Sequence, residues 1–168
     1  MTKFGLYFCT ILIIFLSGCS QSGSTALLAS GTLSGSSAKF EGDASDPGSI
    51  AFFKNNVGDR VLFSIDQSDI DQSGRDILLA QVDWLKVNSD YKIIIEGHAD
   101  ERGTREYNLA LGARRANSAR EFLVSRGIES SRIKTVSFGK ERPVELCSNE
   151  KCYSENRRAV SVVSNLNF

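Results

Sequence analysis

Segment 93–127 does most to limit what this chain can fold into. Ile93-Ile94-Ile95 is a β-branched run, the composition of a strand buried on both faces. Gly97 closes it. Thr104 is placed to cap a long helix over 104–126, with Gly127 letting the chain turn out of it. Between strand and helix lies Gly97-His98-Ala99-Asp100-Glu101-Arg102-Gly103-Thr104. A hydrophobic core has no use for an acid, a base and two glycines in so few positions. A site does, because rigid elements hold the polar groups while the loop presents them.

The flanks supply further elements. Residues 47–56 read as a short helix, with Ile50, Phe52 and Phe53 as apolar contacts, and 57–63 as a strand. Residues 66–71 are polar and turn-like. Asp71 or Ser73 can cap a helix to about residue 87, in which Leu78, Val82 and Leu85 recur at helical spacing beside Ile77 and Trp84. Residues 133–138 alternate as a third strand, 139–152 form a long loop, and 158–163 form a last strand. This order predicts an α/β domain of the α+β sandwich kind: a small mixed four-stranded sheet, helices on one face, and a parallel crossover. In the helix after Thr104, the stripe Leu109, Ala113, Ala116 and Leu123 is expected to face the sheet.

The N-terminal region is of another kind. Lys3 precedes an apolar run over 4–16, about the length of a signal-peptide core and short of the ~20 residues that span a bilayer. It ends in Leu16-Ser17-Gly18-Cys19, which resembles the bacterial lipobox. That resemblance implies a leader over 1–18, acylation of Cys19, and passage to the outer membrane with Ser20 next in sequence. Two or more acyl chains anchor stably where one does not. Residues 19–48 are rich in Ser, Gly and Ala, a flexible tether with a root-mean-square span of about 30 Å. The remaining 49–168 has the size of one domain. Lys and Arg number 20, as do Asp and Glu, so nothing in the charge suggests nucleic acid. Of the 4 cysteines, Cys9 falls in the leader and Cys19 in the lipobox. Cys147 and Cys152 remain, and read as a loop-closing disulfide, free thiols or, less well, metal ligands. His98 is the sole histidine and lies far from both, so no metal site and no cofactor is expected.

The candidate ligand set clusters on the long helix and its loop. Asn108 and Arg115 are seven residues apart, offset by only ~20° around a helix, and Leu111 lies between them. Asp100 and Arg102 sit in the loop that feeds the helix. A carboxylate takes an ammonium, guanidiniums take carboxylates bidentately, and a helix N-terminus favours an anion. Together they suit a zwitterionic ligand. Alternatively, Arg114, Arg115 and Arg120 are solvated helix charges and Asp100 only caps the loop. No Ser or Cys nucleophile motif accompanies His98, which reads better as structural than as a catalytic base. Asp100 and Glu101 are neighbours in a loop, a poor arrangement for paired acid–base hydrolysis.

These same residues resemble the peptidoglycan-associated lipoproteins of the OmpA-like C-terminal domain family. The match covers 57–163 through Gly-His-Ala-Asp-Glu-Arg-Gly-Thr from Gly97, Glu-Tyr-Asn from Glu106, Arg-Arg-Ala-Asn from Arg114, Phe-Gly-Lys-Glu-Arg-Pro from Phe138 and Asn-Arg-Arg-Ala-Val from Asn156. The resemblance implies non-catalytic binding of peptidoglycan through meso-diaminopimelate. It places Asp100 and Arg115 at the ligand, with Asn108 and Leu111 on their rim, Phe63 and Asp66 after the first strand, and Arg157 or Arg158 as a further carboxylate contact. It also implies docking to a TolB-like propeller and a place in the Tol–Pal system that constricts the envelope in division. Arg105 stands where the family commonly has proline, and the Cys147–Cys152 loop is not general in it. The alternative is an OmpA-like lipoprotein that acts mainly by docking a protein, with weak wall binding.

Overall fold

The computed structural model describes residues 42–165; the leader, Cys19 and the tether as far as residue 41 lie outside the described residues. The elements are α1 (Ile50–Phe52), a single π-helical turn (Phe53–Gly58), β1 (Arg60–Leu62), α2 (Gln72–Val87), β2 (Lys92–His98), α3 (Arg105–Ser125), β3 (Ile133–Gly139), α4 (Glu150–Asn156) and β4 (Arg158–Ser164). The sheet order is β1-β4-β2-β3. β2 and β3 are parallel, joined by α3 as the crossover, while β4 runs antiparallel to both β1 and β2. Among the described residues, no helix is long and apolar enough to cross a membrane.

One face of the sheet carries the core. Ile93, Ile95, Val61, Ala159 and Val163 are buried there against Leu78, Val82 and Leu85 of α2 and Ala116, Ala119 and Leu123 of α3. Among the described residues no helix packs on the opposite face, and there Ile94 is only half-buried and Val162 is exposed. The expectation of a strand covered on both faces therefore fails at Ile94: β-branching marks a strand but not how many sides are covered.

Asp71 caps α2, its carboxylate accepting from the Gly74 N–H at 2.7 Å. Thr104 caps α3 by accepting from the Tyr107 N–H at 3.2 Å. Gly127, at φ 94°, ends the chain's path out of α3 in the left-handed region. α3 lies very close on β2: a Cβ on Gly97 would sit 1.8 Å from the Gly112 carbonyl oxygen. That contact turns Gly112 to the sheet and rotates the helix away from the expected stripe. Leu109 is exposed and Ala113 half-buried, while Asn108, Leu111, Gly112, Arg115, Ala116, Ala119 and Leu123 face inward.

Two further differences bear on the site. The long loop after β3 contains α4, only 7 residues long, started by the Asn149 side chain accepting from the Cys152 N–H. So short a helix leaves no periodic apolar signal. At the other end, the ordered body begins before residue 49. The Trp84 indole donates to the Pro47 carbonyl at 2.7 Å and the Tyr91 hydroxyl to the Gly48 carbonyl at 2.9 Å. Trp84 also stacks between Phe53 and Tyr91, with centroids 4.9 and 5.0 Å away.

Candidate functional site

The loop between β2 and α3 is held from several sides. The Ala99 N–H donates to the Gly139 carbonyl at 2.8 Å, tying the loop's start to the end of β3. The Asp100 carboxylate accepts from the Arg102 N–H at 3.1 Å, closing a tight turn. Gly103 then takes φ 85°, which a side chain would resist. The Asn108 amide donates to the Arg102 carbonyl at 2.7 Å, and Lys140 reaches from the β3 side to the Gly103 carbonyl at 2.7 Å. The loop is thus fixed by groups outside it, the condition for a preorganised site.

Beside it opens a cleft of about 340 Å³. It brings together Asp66, Asp100, Arg102, Asn108, Leu111, Arg115 and Arg157 from the set expected on sequence grounds. Three guanidiniums face two carboxylates, so the lining suits a ligand with more negative than positive groups. Ile65, Gly103 and Tyr107 also line it, and the sequence reading missed them as site residues. Tyr107 was within reach of that reading, one position before Asn108 in the first turn of the helix. Its hydroxyl donates to the Asp66 carboxylate across the cleft.

Two expected residues lie elsewhere. Phe63 is buried beneath the cleft, where the Arg115 guanidinium lies 5.3 Å from its ring centroid. Arg158 turns to the far side of the sheet and donates to the Asn156 and Arg142 carbonyls at 3.3 and 3.2 Å. Neighbouring residues at a strand's start point to opposite faces, so only one of the Arg157–Arg158 pair can enter the cleft. It is Arg157, which donates to the Phe63 carbonyl at 3.0 Å, Asp100 at 3.2 Å and Glu150 at 2.6 Å. Arg105 points out from the site and pairs with Glu141 at 3.2 Å on the surface.

Arg115 is the floor of the cleft and has no solvent-accessible surface (0%). It donates to the carbonyls of Gln67, His98 and Ser64 at 2.8, 2.8 and 3.2 Å. Burial first, then the Arg157 charge, lowers its pKa to about 10, so it stays cationic at neutral pH. Among the described residues no carboxylate is within ion-pair distance of it. Three of its five N–H donors are used, all on neutral acceptors, while the charges of Asp100 and Asp66 act on it from beyond ion-pair distance. Asp100 has the opposite problem. Burial pushes its carboxyl up, but hydrogen bonds from Arg102 and Arg157 outweigh that and hold it below the usual carboxylate range.

His98 sits behind the site with a 2% exposed side chain, and neither ring nitrogen has a hydrogen-bond partner. Its Nε2 is 3.5 Å from the Glu96 carboxylate, too poorly aligned to bond. Burial, then the charges of Arg158 and Arg142, lower its pKa to about 4, so the ring is neutral at pH 7. A neutral, unpartnered ring is a packing residue, stacked 5.6 Å from Phe138. The unfolded chain takes up this proton near pH 6.5 and the folded one only near 4, so stability is lost as pH falls through that window. Denaturant melts should show a loss on the order of 3 kcal/mol from pH 7 to 4. A His98→Leu variant should lose most of that slope.

Among the described residues, no cluster of His, Cys, Asp and Glu is placed to hold a metal ion. The OmpA family model matches residues 62–162. A peptidoglycan-associated lipoprotein of Mesorhizobium japonicum is 56% identical over 121 residues, which is 72% of this chain and 72% of that protein. The Haemophilus influenzae peptidoglycan-associated lipoprotein is 39% identical over 140 residues, 82% of this chain and 91% of that one. The crystal structure of the Burkholderia pseudomallei peptidoglycan-associated lipoprotein superimposes with a TM-score of 0.66 at 36% identity, covering 71% of this chain and all (100%) of that one. The C-terminal domain of Helicobacter pylori MotB shares the fold, with a TM-score of 0.59 at 18% identity. Sequence and fold agree that this chain belongs to the OmpA family and, within it, to the peptidoglycan-associated lipoproteins.

Proposed function

We propose that this domain binds peptidoglycan non-covalently, gripping the meso-diaminopimelate of the stem peptide in the cleft. The observation that supports it most is the pairing of a buried, carboxylate-free Arg115 with a deprotonated Asp100 in one lining. The ligand's carboxylates go toward Arg115 and Arg157, and its ammonium toward Asp100. Asn108 and Leu111 shape the wall behind it. An acylated Cys19 and the segment that follows it then fix the domain to the outer membrane, so that the chain links membrane to wall. Docking to a TolB-like propeller and a role in envelope constriction through the Tol–Pal system extend this reading from the family.

The full chain in detergent should co-sediment with purified sacculi and release no soluble fragments from them. Release of muropeptides would mean a hydrolase instead, and failure to sediment would remove wall binding.

We also read the loop beside the site as closed by a disulfide between Cys147 and Cys152, a reading supported by their Cα separation of 5.7 Å. Closing so small a loop stabilises by about 2 kcal/mol on the chain-entropy model. A Cys147→Ser/Cys152→Ser double variant should therefore melt at lower denaturant by that amount. Adding reductant should lower the parent toward the variant and leave the variant unchanged.

A further inference from the structure

The Asp100 carboxylate is already occupied in the free protein, and its two partners are unequal. Arg157 is fixed: its side chain is 6% exposed and is bonded to the Phe63 carbonyl and Glu150 as well. Arg102 is not. Its side chain is 43% exposed, although it grips Asp100 through Nε at 3.2 Å and Nη2 at 2.6 Å. On its other side the guanidinium lies 4.5 Å from the ring centroid of Tyr153 and 3.8 Å from the Glu150 carboxylate. Both belong to α4, and the Tyr153 hydroxyl is held in turn by Glu101 at 2.8 Å.

Resting on the reading of the cleft given above, we propose that Arg102 is an internal stand-in for the ligand's ammonium, which must displace it from Asp100, and that Tyr153 and Glu150 form the perch to which it withdraws. An ammonium and a guanidinium compete for the same two oxygens, and the buried Arg157 has no room to yield. The exposed Arg102 yields by a side-chain rotation, and the perch keeps an aromatic face and a carboxylate in contact with it. The loop itself does not depend on the Arg102 side chain. The turn is closed by its backbone N–H, and Asn108 is held by its carbonyl.

The arrangement makes the site selective. A simple amine gains Asp100 and loses the Arg102–Asp100 pair, close to an even exchange. A ligand that also brings carboxylates gains from the positive charges of Arg115 and Arg157, which a simple amine cannot use. Arg102 therefore raises the threshold for every ammonium ligand alike, and only one with matching carboxylates has the additional attraction to clear it.

The test is titration of the full chain in detergent with meso-diaminopimelate and, separately, with 1,5-diaminopentane, which has the amines alone. Arg102→Ala should bind meso-diaminopimelate about 5-fold more tightly than the parent, and diaminopentane by a similar factor, since both must displace the same side chain. A gain in affinity cannot come from damaged structure. Tyr153→Leu should weaken meso-diaminopimelate binding about 3-fold in the parent and leave it unchanged when Arg102 is alanine, because the perch then has nothing to hold. Weaker binding by Arg102→Ala would overturn the proposal, since Arg102 would then be a direct contact, as would an undiminished effect of Tyr153→Leu in that background. Both outcomes leave the parent's binding intact. Only a parent that binds neither probe would overturn the reading of the cleft together with this one.

Discussion

Arg115→Met should cost the domain about 2–4 kcal/mol of folding stability and abolish ligand binding together with it. Methionine fills much of the stem's volume over Phe63 but offers no donor. The carbonyls of Gln67, His98 and Ser64 would each lose a charged partner at 2.8, 2.8 and 3.2 Å. The His98 carbonyl is buried, and an acceptor left there without a donor costs about 1–3 kcal/mol, while the carbonyls of Gln67 and Ser64 lie in an exposed segment, the latter still accepting from the Gln67 N–H, and lose less. These carbonyls come from β2 and from the segment after β1, so Arg115 is also what fastens that segment to α3. Arg115→Lys keeps the charge but can reach fewer of the three acceptors, and should fall between parent and methionine variant. Denaturant melts at pH 7 check both. A parent-like melt for Arg115→Met would show that the three bonds contribute nothing net.

Asp100→Asn should separate binding from folding more cleanly. The amide keeps the carboxylate's size and can still accept from the Arg102 N–H that closes the turn at 3.1 Å. Arg157 keeps the Phe63 carbonyl and Glu150. The folding cost should therefore be about 1–2 kcal/mol. The binding cost is larger, about 2–5 kcal/mol, because the ligand's ammonium would be desolvated against a neutral group beside three guanidiniums. Calorimetry on the full chain, set beside its melt, reads the two numbers independently.

The order of strands and helices, the caps Asp71 and Thr104, and the parallel crossover were legible because each leaves a local pattern. Helix α4 was not, being a single capped turn or two after a loop with no apolar repeat. The rotation of α3 was not either. Apolar spacing pointed to Leu109 and Ala113, but the glycine contact between Gly97 and Gly112 set the helix's angle, and the carbonyls under it drew in Arg115 and Asn108. Polar residues at core positions are where a periodicity argument is blind, and here they are the candidate site. Asp100, Arg102, Asn108, Leu111 and Arg115 were reached through motif chemistry. Choosing Arg157 over Arg158 required the backbone direction at the start of β4, and Tyr107 required seeing Asp66 across the cleft.

The central claim is that the cleft reads a ligand carrying both an ammonium and an extra carboxylate. Its most direct test is calorimetric titration of the full chain in detergent with a stem peptide containing meso-diaminopimelate, beside the same peptide containing lysine. The two differ by one carboxylate next to the terminal amine. Saturable binding of the first, at least tenfold tighter than the second, is the predicted result. Equal affinity for both, or no heat with either, would contradict it.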